Sequence, residues 1–142
     1  MRRLIPPRLA LLAFAHFSID AYSSFITPLL PLLVIKLHMS LGRVGALVAL
    51  SALASSISQP LFGMIADRLR RPWFVAFGPL LAAILMSAVG LASSFWALVA
   101  ILMLGGLGAA AFHPQAAVLA GNLGERRTMA LSVFVTSGTL GF

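Results

Sequence analysis

Residues 96–121 read WALVAILMLGGLGAAAFHPQAAVLAG, a run with no Asp, Glu, Lys or Arg that still places His113, Pro114 and Gln115 in succession. Unpaired polar groups are costly in a soluble core and costlier in hydrocarbon, so the surroundings of this run decide how the chain is read. Composition settles the surroundings. The chain is 61% hydrophobic and 9% charged, with a mean hydropathy of +1.04. A water-exposed domain carries about a quarter charged residues, because its surface must face solvent. This chain has too few charges to cover itself, and the expected class is an all-α integral membrane protein.

A spanning helix needs about 20 mostly apolar residues. Residues 9–37 form such a run, although His16, Asp20, Pro28 and Pro31 lie within it. Further spans are expected at 44–65, 74–92 and 96–121. Only Ser93, Ser94 and Phe95 separate the third from the fourth, so those two must be antiparallel neighbours. A fifth run, 129–142, is too short to cross. The N-terminus resembles a signal peptide in its basic start, but the apolar stretch is too long and has no small-residue cleavage site. A retained first helix is expected.

The charges follow membrane topology. With the N-terminus in the cytoplasm, Arg2, Arg3, Arg8, Arg68, Arg70, Arg71, Arg126 and Arg127 fall inside, and only Lys36 and Arg43 fall outside. That bias is the positive-inside pattern. The net charge of +7 is therefore not a nucleic-acid signal, since no aromatic residues alternate with the bases. The absence of cysteine excludes disulfides and thiol chemistry. No phosphate-binding GxxxxGK[ST] loop occurs, and Ser51, Ser55 and Ser58 have no histidine or acid nearby in sequence to activate them, so no enzyme is expected. Small residues at Gly105 and Ala109, at Gly106 and Ala110, and at Ser51, Ser55 and Ser58 read as packing stripes between helices.

Between the second and third spans stands GMIADRLRRPW, residues 63–73. A basic loop needs only the arginines; the Gly-x-x-x-Asp-Arg spacing adds a carboxylate able to pair with them or with a helix N-terminus. This spacing resembles the signature loop of the major facilitator superfamily. Gly63, Asp67, Arg68 and Arg71 match, while Arg70 replaces the usual second glycine and Pro72 the last base. The blocks HFSIDAYSSFITPLLPLL (16–33), QPLFGMIADRLRRPW (59–73), GAAAFHPQAA (108–117) and SGTLGF (137–142) together resemble the fosmidomycin-resistance branch of that superfamily.

The resemblance implies the N-terminal part of a major-facilitator-type bundle, with four full helices and the start of a fifth. The remaining half would be expected in the full-length protein. It also implies a multi-pass protein of the bacterial inner membrane that couples protons to efflux of small compounds or drugs, anionic ones included. No cofactor and no nucleic acid are implied; the partners are lipid, substrate and protons. In this family the loop at 63–73 helps latch the cytoplasmic side. The common arginine of the fourth helix would fall near Leu102, which excludes coupling through that arginine.

Helical rise places His113 about 12 Å and His16 about 10 Å from the cytoplasmic ends of their spans, with Asp20 one turn deeper than His16. The resemblance puts the first and fourth helices on a central cavity. Asp20 is then a candidate proton carrier, with His16 and His113 as titratable or anion-binding partners. Otherwise His16 and Asp20 simply hydrogen-bond across one turn. His113 can also serve structure beside Pro114, whose missing N–H leaves the Ala110 carbonyl free and marks a candidate kink. Gln115 reads as a packing hydrogen bond. A metal site at His16, Asp20 and His113 lacks a fourth ligand and a second shell, so none is expected. Two other functions remain open: a small dimeric four-helix exporter with Asp20 as its essential acid, and a non-transporting structural or assembly protein of the membrane.

Overall fold

A computed structural model of the chain describes residues 5–124 and 126–142. Arg2 and Arg3, counted above as cytoplasmic, lie outside the described residues. Within them all regular structure is helical: α1 (Pro7–Ser24), α2 (Ile26–Lys36), α3 (Leu41–Ala66), α4 (Trp73–Ser87) followed by a 3₁₀ turn at Ala88–Leu91, α5 (Phe95–Leu123) and α6 (Arg127–Gly141). Four helical stretches are long and apolar enough to cross a membrane: Pro7–Lys36, Leu41–Ala66, Trp73–Leu91 and Phe95–Leu123.

The first span departs from the uninterrupted helix its hydropathy suggests. It breaks at Phe25 into α1 and α2. Proline has no N–H, so Pro28 cannot donate to the Ser24 carbonyl four residues back, and the ladder lapses there. The other starts follow local chemistry. Pro7 opens α1 at the first turn, where its missing N–H costs nothing. The Ser40 and Ser94 hydroxyls accept from the N–H of Arg43 and of Ala97, capping α3 and α5.

Half of the most apolar window of α5 is buried, against 6–17% in the other three spans, so α5 is the central helix. One core cluster gathers Leu9, Leu12 and Ile19 of α1 with Phe112 and Ala116 of α5 and Phe134 of α6. A second gathers Leu33, Leu47, Leu98 and Leu102 nearer the opposite end. The outward faces stay apolar, with Leu11, Phe14, Ile57, Phe77, Ile84 and Trp96 exposed. Such a surface is stable against lipid and not against water.

A close crossing pairs α4 with α5 at residues outside the expected stripes. A Cβ on Gly78 would stand 2.6 Å from the Gly108 carbonyl oxygen, and one on Gly108 would stand 2.7 Å from that of Gly78. Neither backbone can yield, so both positions require glycine. Gly106 is looser than expected: a Cβ added there would stand 3.9 Å from the Ser55 side chain. Ser51 spends its hydroxyl on the Leu47 carbonyl of its own helix.

Candidate functional site

Asp20 and His16 lie one turn apart on α1, and His113 reaches them from α5. Nε2 of His16 stands 3.2 Å from Oδ2 of Asp20, and Nε2 of His113 stands 3.2 Å from Oδ1. One carboxylate thus lies between two imidazoles, an oxygen to each. The same two histidines are fixed from behind. Nδ1–H of His16 donates to the Phe134 carbonyl on α6 at 2.8 Å, and Nδ1–H of His113 donates to the Ala109 carbonyl at 2.7 Å. The carbonyl that His113 uses is not the Ala110 carbonyl freed by Pro114, and α5 runs through Pro114 as one helix.

The cluster is shielded without being sealed. His16 is buried, while Asp20 and His113 are partly buried. The Phe134 ring stacks on His16 with centroids 4.0 Å apart and planes at 18°. Phe112 flanks both imidazoles at 5.9 and 5.6 Å. Gly138 covers the remaining side: a Cβ there would meet Nε2 of His16 at 2.5 Å and Oδ2 of Asp20 at 2.6 Å. One turn of α6 is therefore built around the triad. Three potential donor atoms lie within 4.8 Å of one another, and no fourth His, Cys or acid joins them among the described residues.

The structure thus brings together the three site residues that the sequence singled out, His16, Asp20 and His113. It also adds Phe134 and Gly138, which composition could not flag because neither is ionisable. The one available signal was the glycine spacing of SGTLGF, where Gly138 and Gly141 lie on the face of α6 toward α1. Gly141 packs on the Phe17 carbonyl.

Gly63 lies in the last turn of α3, and Asp67, Arg68 and Arg71 lie in the turn joining α3 to α4; none of them contacts the triad's polar atoms. The Asp67 N–H donates to the Gly63 carbonyl and ends α3. Asp67, Arg68, Arg70 and Arg71 are all exposed. Among the described residues Asp67 forms no ion pair, in contrast to the pairing its neighbours suggest. It also does not cap α4. That task falls to Gln115, whose Oε1 accepts from the N–H of Phe74 at 2.9 Å and of Val75 at 3.3 Å. Gln115 is the packing hydrogen bond the sequence suggests, and its partner is a helix N-terminus. Gly63 faces Pro114, with 3.7 Å between its added Cβ and that of the proline, an ordinary contact.

A membrane bundle with a partly buried carboxylate–imidazole cluster and a basic Gly-x-x-x-Asp-Arg turn fits a polytopic transporter. The family model of the Major Facilitator Superfamily matches residues 12–142, and the chain belongs to that superfamily. It is similar to the MFS-type transporter SLC18B1 of Rattus norvegicus, 34% identical over 112 residues that cover 72% of this chain and 25% of that protein. It is also similar to the fosmidomycin resistance protein of Escherichia coli, 29% identical over 94% of this chain and 33% of that protein. An uncharacterized MFS-type transporter of Bacillus subtilis, YfnC, is 28% identical over 95% of this chain and 33% of its own length. The chain therefore spans between a quarter and a third of these relatives. No solved structure gives a significant match.

Proposed function

We propose that the chain is the N-terminal part of a proton-coupled secondary transporter that exports small compounds or drugs, anionic ones among them. Asp20 is the proton-carrying carboxylate, and His16 and His113 are its titrating partners. The observation that carries this reading is the position of Asp20 between two imidazoles on two different helices. An intramembrane acid that is partly buried and held by hydrogen-bonding partners is a site by default, because a purely structural carboxylate would be costly to retain. The likeness to a protein named for fosmidomycin resistance supports a drug as the transported class.

In this reading Gly63, Asp67, Arg68 and Arg71 form the cytoplasmic latch, exposed where a second half of the transporter can dock on them. Pro114 is a kink about which α5 adjusts. The N-terminus is cytoplasmic, the membrane is the bacterial inner membrane, and the protein does no covalent chemistry.

Asp20→Asn keeps the size of the side chain and removes its charge. In the complete transporter it is expected to abolish uptake driven by a proton gradient into inside-out vesicles, at wild-type levels of membrane insertion. Undiminished proton-driven uptake in that variant would place the coupling site elsewhere.

A further inference from the structure

A carbonyl oxygen has lone pairs and no proton, so an imidazole nitrogen within hydrogen-bond distance of one must be the donor. His16 therefore keeps a proton on Nδ1 toward Phe134, and His113 keeps one on Nδ1 toward Ala109. A neutral imidazole protonated at Nδ1 is bare at Nε2. Both bare Nε2 atoms face the same carboxylate, one at each oxygen, 3.2 Å away. With Asp20 ionised and both rings neutral, each contact sets lone pair against lone pair. One proton relieves only one contact. Two protons fill both bridges, whether both ride on the rings or one rides on the carboxylate, and the cluster then carries a net charge of +1.

We propose that His16, Asp20 and His113 form a two-proton site, whose bridged form holds two exchangeable protons between the Nε2 atoms and the Asp20 oxygens. This rests on the reading of the triad as the coupling site and adds the number of protons, the atoms that carry them and a role for α6. The Phe134 carbonyl selects Nε2 as the working atom of His16. Gly138 leaves room for the bridge, since an added Cβ would stand 2.5 Å from that same Nε2. Phe134 and Gly138 are thus positioning residues.

The surrounding helices bring no competing ionisable group to the triad. α4 contains none, and His113 is the only one on α5. On α6 the only one is Arg127, which lies against Gly121 in the first turn. On α1, Arg8 is two turns before His16, and Tyr22 packs edge-on against Phe25. Lys36 is spent on the Gly90 carbonyl at the far end of α2. On α3, Arg43 sits in the first turn over the Phe95 ring, and Asp67 closes the last.

Nitrogen-15 NMR of the histidines and carbon-13 NMR of the aspartates, on the complete protein in lipid across a pH series, test this directly. His16→Gln and His113→Gln difference spectra assign the signals. At alkaline pH both rings are expected in the neutral Nδ1–H form. On acidification the bridges are expected to take up two protons in the wild type and one in Asp20→Asn, whose amide brings a donor and an acceptor of its own. A neutral Nε2–H form at either ring, or uptake that stops at one proton in the wild type, overturns the proposal. The wild-type spectra alone decide the ring forms, so a variant that fails to fold leaves the test intact. The readout needs no cargo: two protons without proton-driven transport would remove the transport reading and keep the site, and one proton with such transport would do the reverse.

Discussion

Nε2 of His113 on α5 stands 3.2 Å from Oδ1 of Asp20 on α1, and among the described residues no other side-chain hydrogen bond joins these two helices. The contact ties the first span to the central helix at the point where the Phe134 carbonyl of α6 also meets His16. Three helices therefore share one small polar joint inside an otherwise apolar bundle. A change in its proton content is felt by all three, which is the requirement for coupling ion binding to helix movement.

If the triad is the coupling site, His113 is the ring through which α5 senses that proton content. An imidazole gains charge as pH falls, whereas glutamine does not. His113→Gln is therefore expected to reduce transport of an anionic drug most in the acidic part of the pH range and to converge on the wild type as pH rises. Parallel pH profiles for the two proteins, at matched expression, would make His113 a purely structural residue.

Gly138 is expected to tolerate no side chain. Gly138→Ala drives a methyl group into His16 and Asp20 and should destabilise the protein by about 1–3 kcal/mol, the usual range for overpacking. Gly63→Ala meets only an ordinary contact with Pro114 and gains helix propensity, so its melting temperature should equal or exceed the wild type. Thermal unfolding in detergent compares the two. Equal stability of both variants would contradict the packing of α6 on the triad. If Gly63 belongs to the latch, Gly63→Ala should also slow transport despite its stability.

Gln115 holds the start of α4. Gln115→Leu preserves bulk but leaves the N–H groups of Phe74 and Val75 without their acceptor; the pair is part-buried, so the loss should fall at the low end of the roughly 1–3 kcal/mol of a buried donor. Gln115→Glu keeps the acceptor and adds a charge suited to a helix N-terminus, so it should recover most of the stability. A leucine variant that melts with the wild type would mean that α4 needs no help from α5.

The arginine distribution leads to a topology in which Ser40 is outside and Thr128 inside. Single cysteines at these positions should react with an impermeant thiol reagent from opposite faces of the membrane. Reaction of both from one face would overturn the four-span arrangement.

Pattern along the chain was enough to identify the spans, because a bilayer imposes length and apolarity on each helix separately. The runs at 44–65, 74–92 and 96–121 correspond to α3, to α4 with its 3₁₀ turn, and to α5, and the helices extend past the runs where Ser40 and Ser94 cap them. Pairing of His16 with Asp20 was likewise legible, since residues four apart on a helix share a face. Similar depth for His16 and His113 followed from helical rise alone. What depth could not supply was rotation about each helix axis, which is set by contacts between residues distant in sequence. Only the packed bundle turns His113 toward Asp20, brings the Phe134 carbonyl to His16, and assigns the cap of α4 to Gln115 instead of Asp67. The same holds for Gly78 and Gly108, ordinary glycines in the sequence that the crossing of α4 and α5 makes indispensable. Local chemistry determined where each helix begins, ends and breaks; the fit of one helix surface against another determined which atoms of the triad face each other.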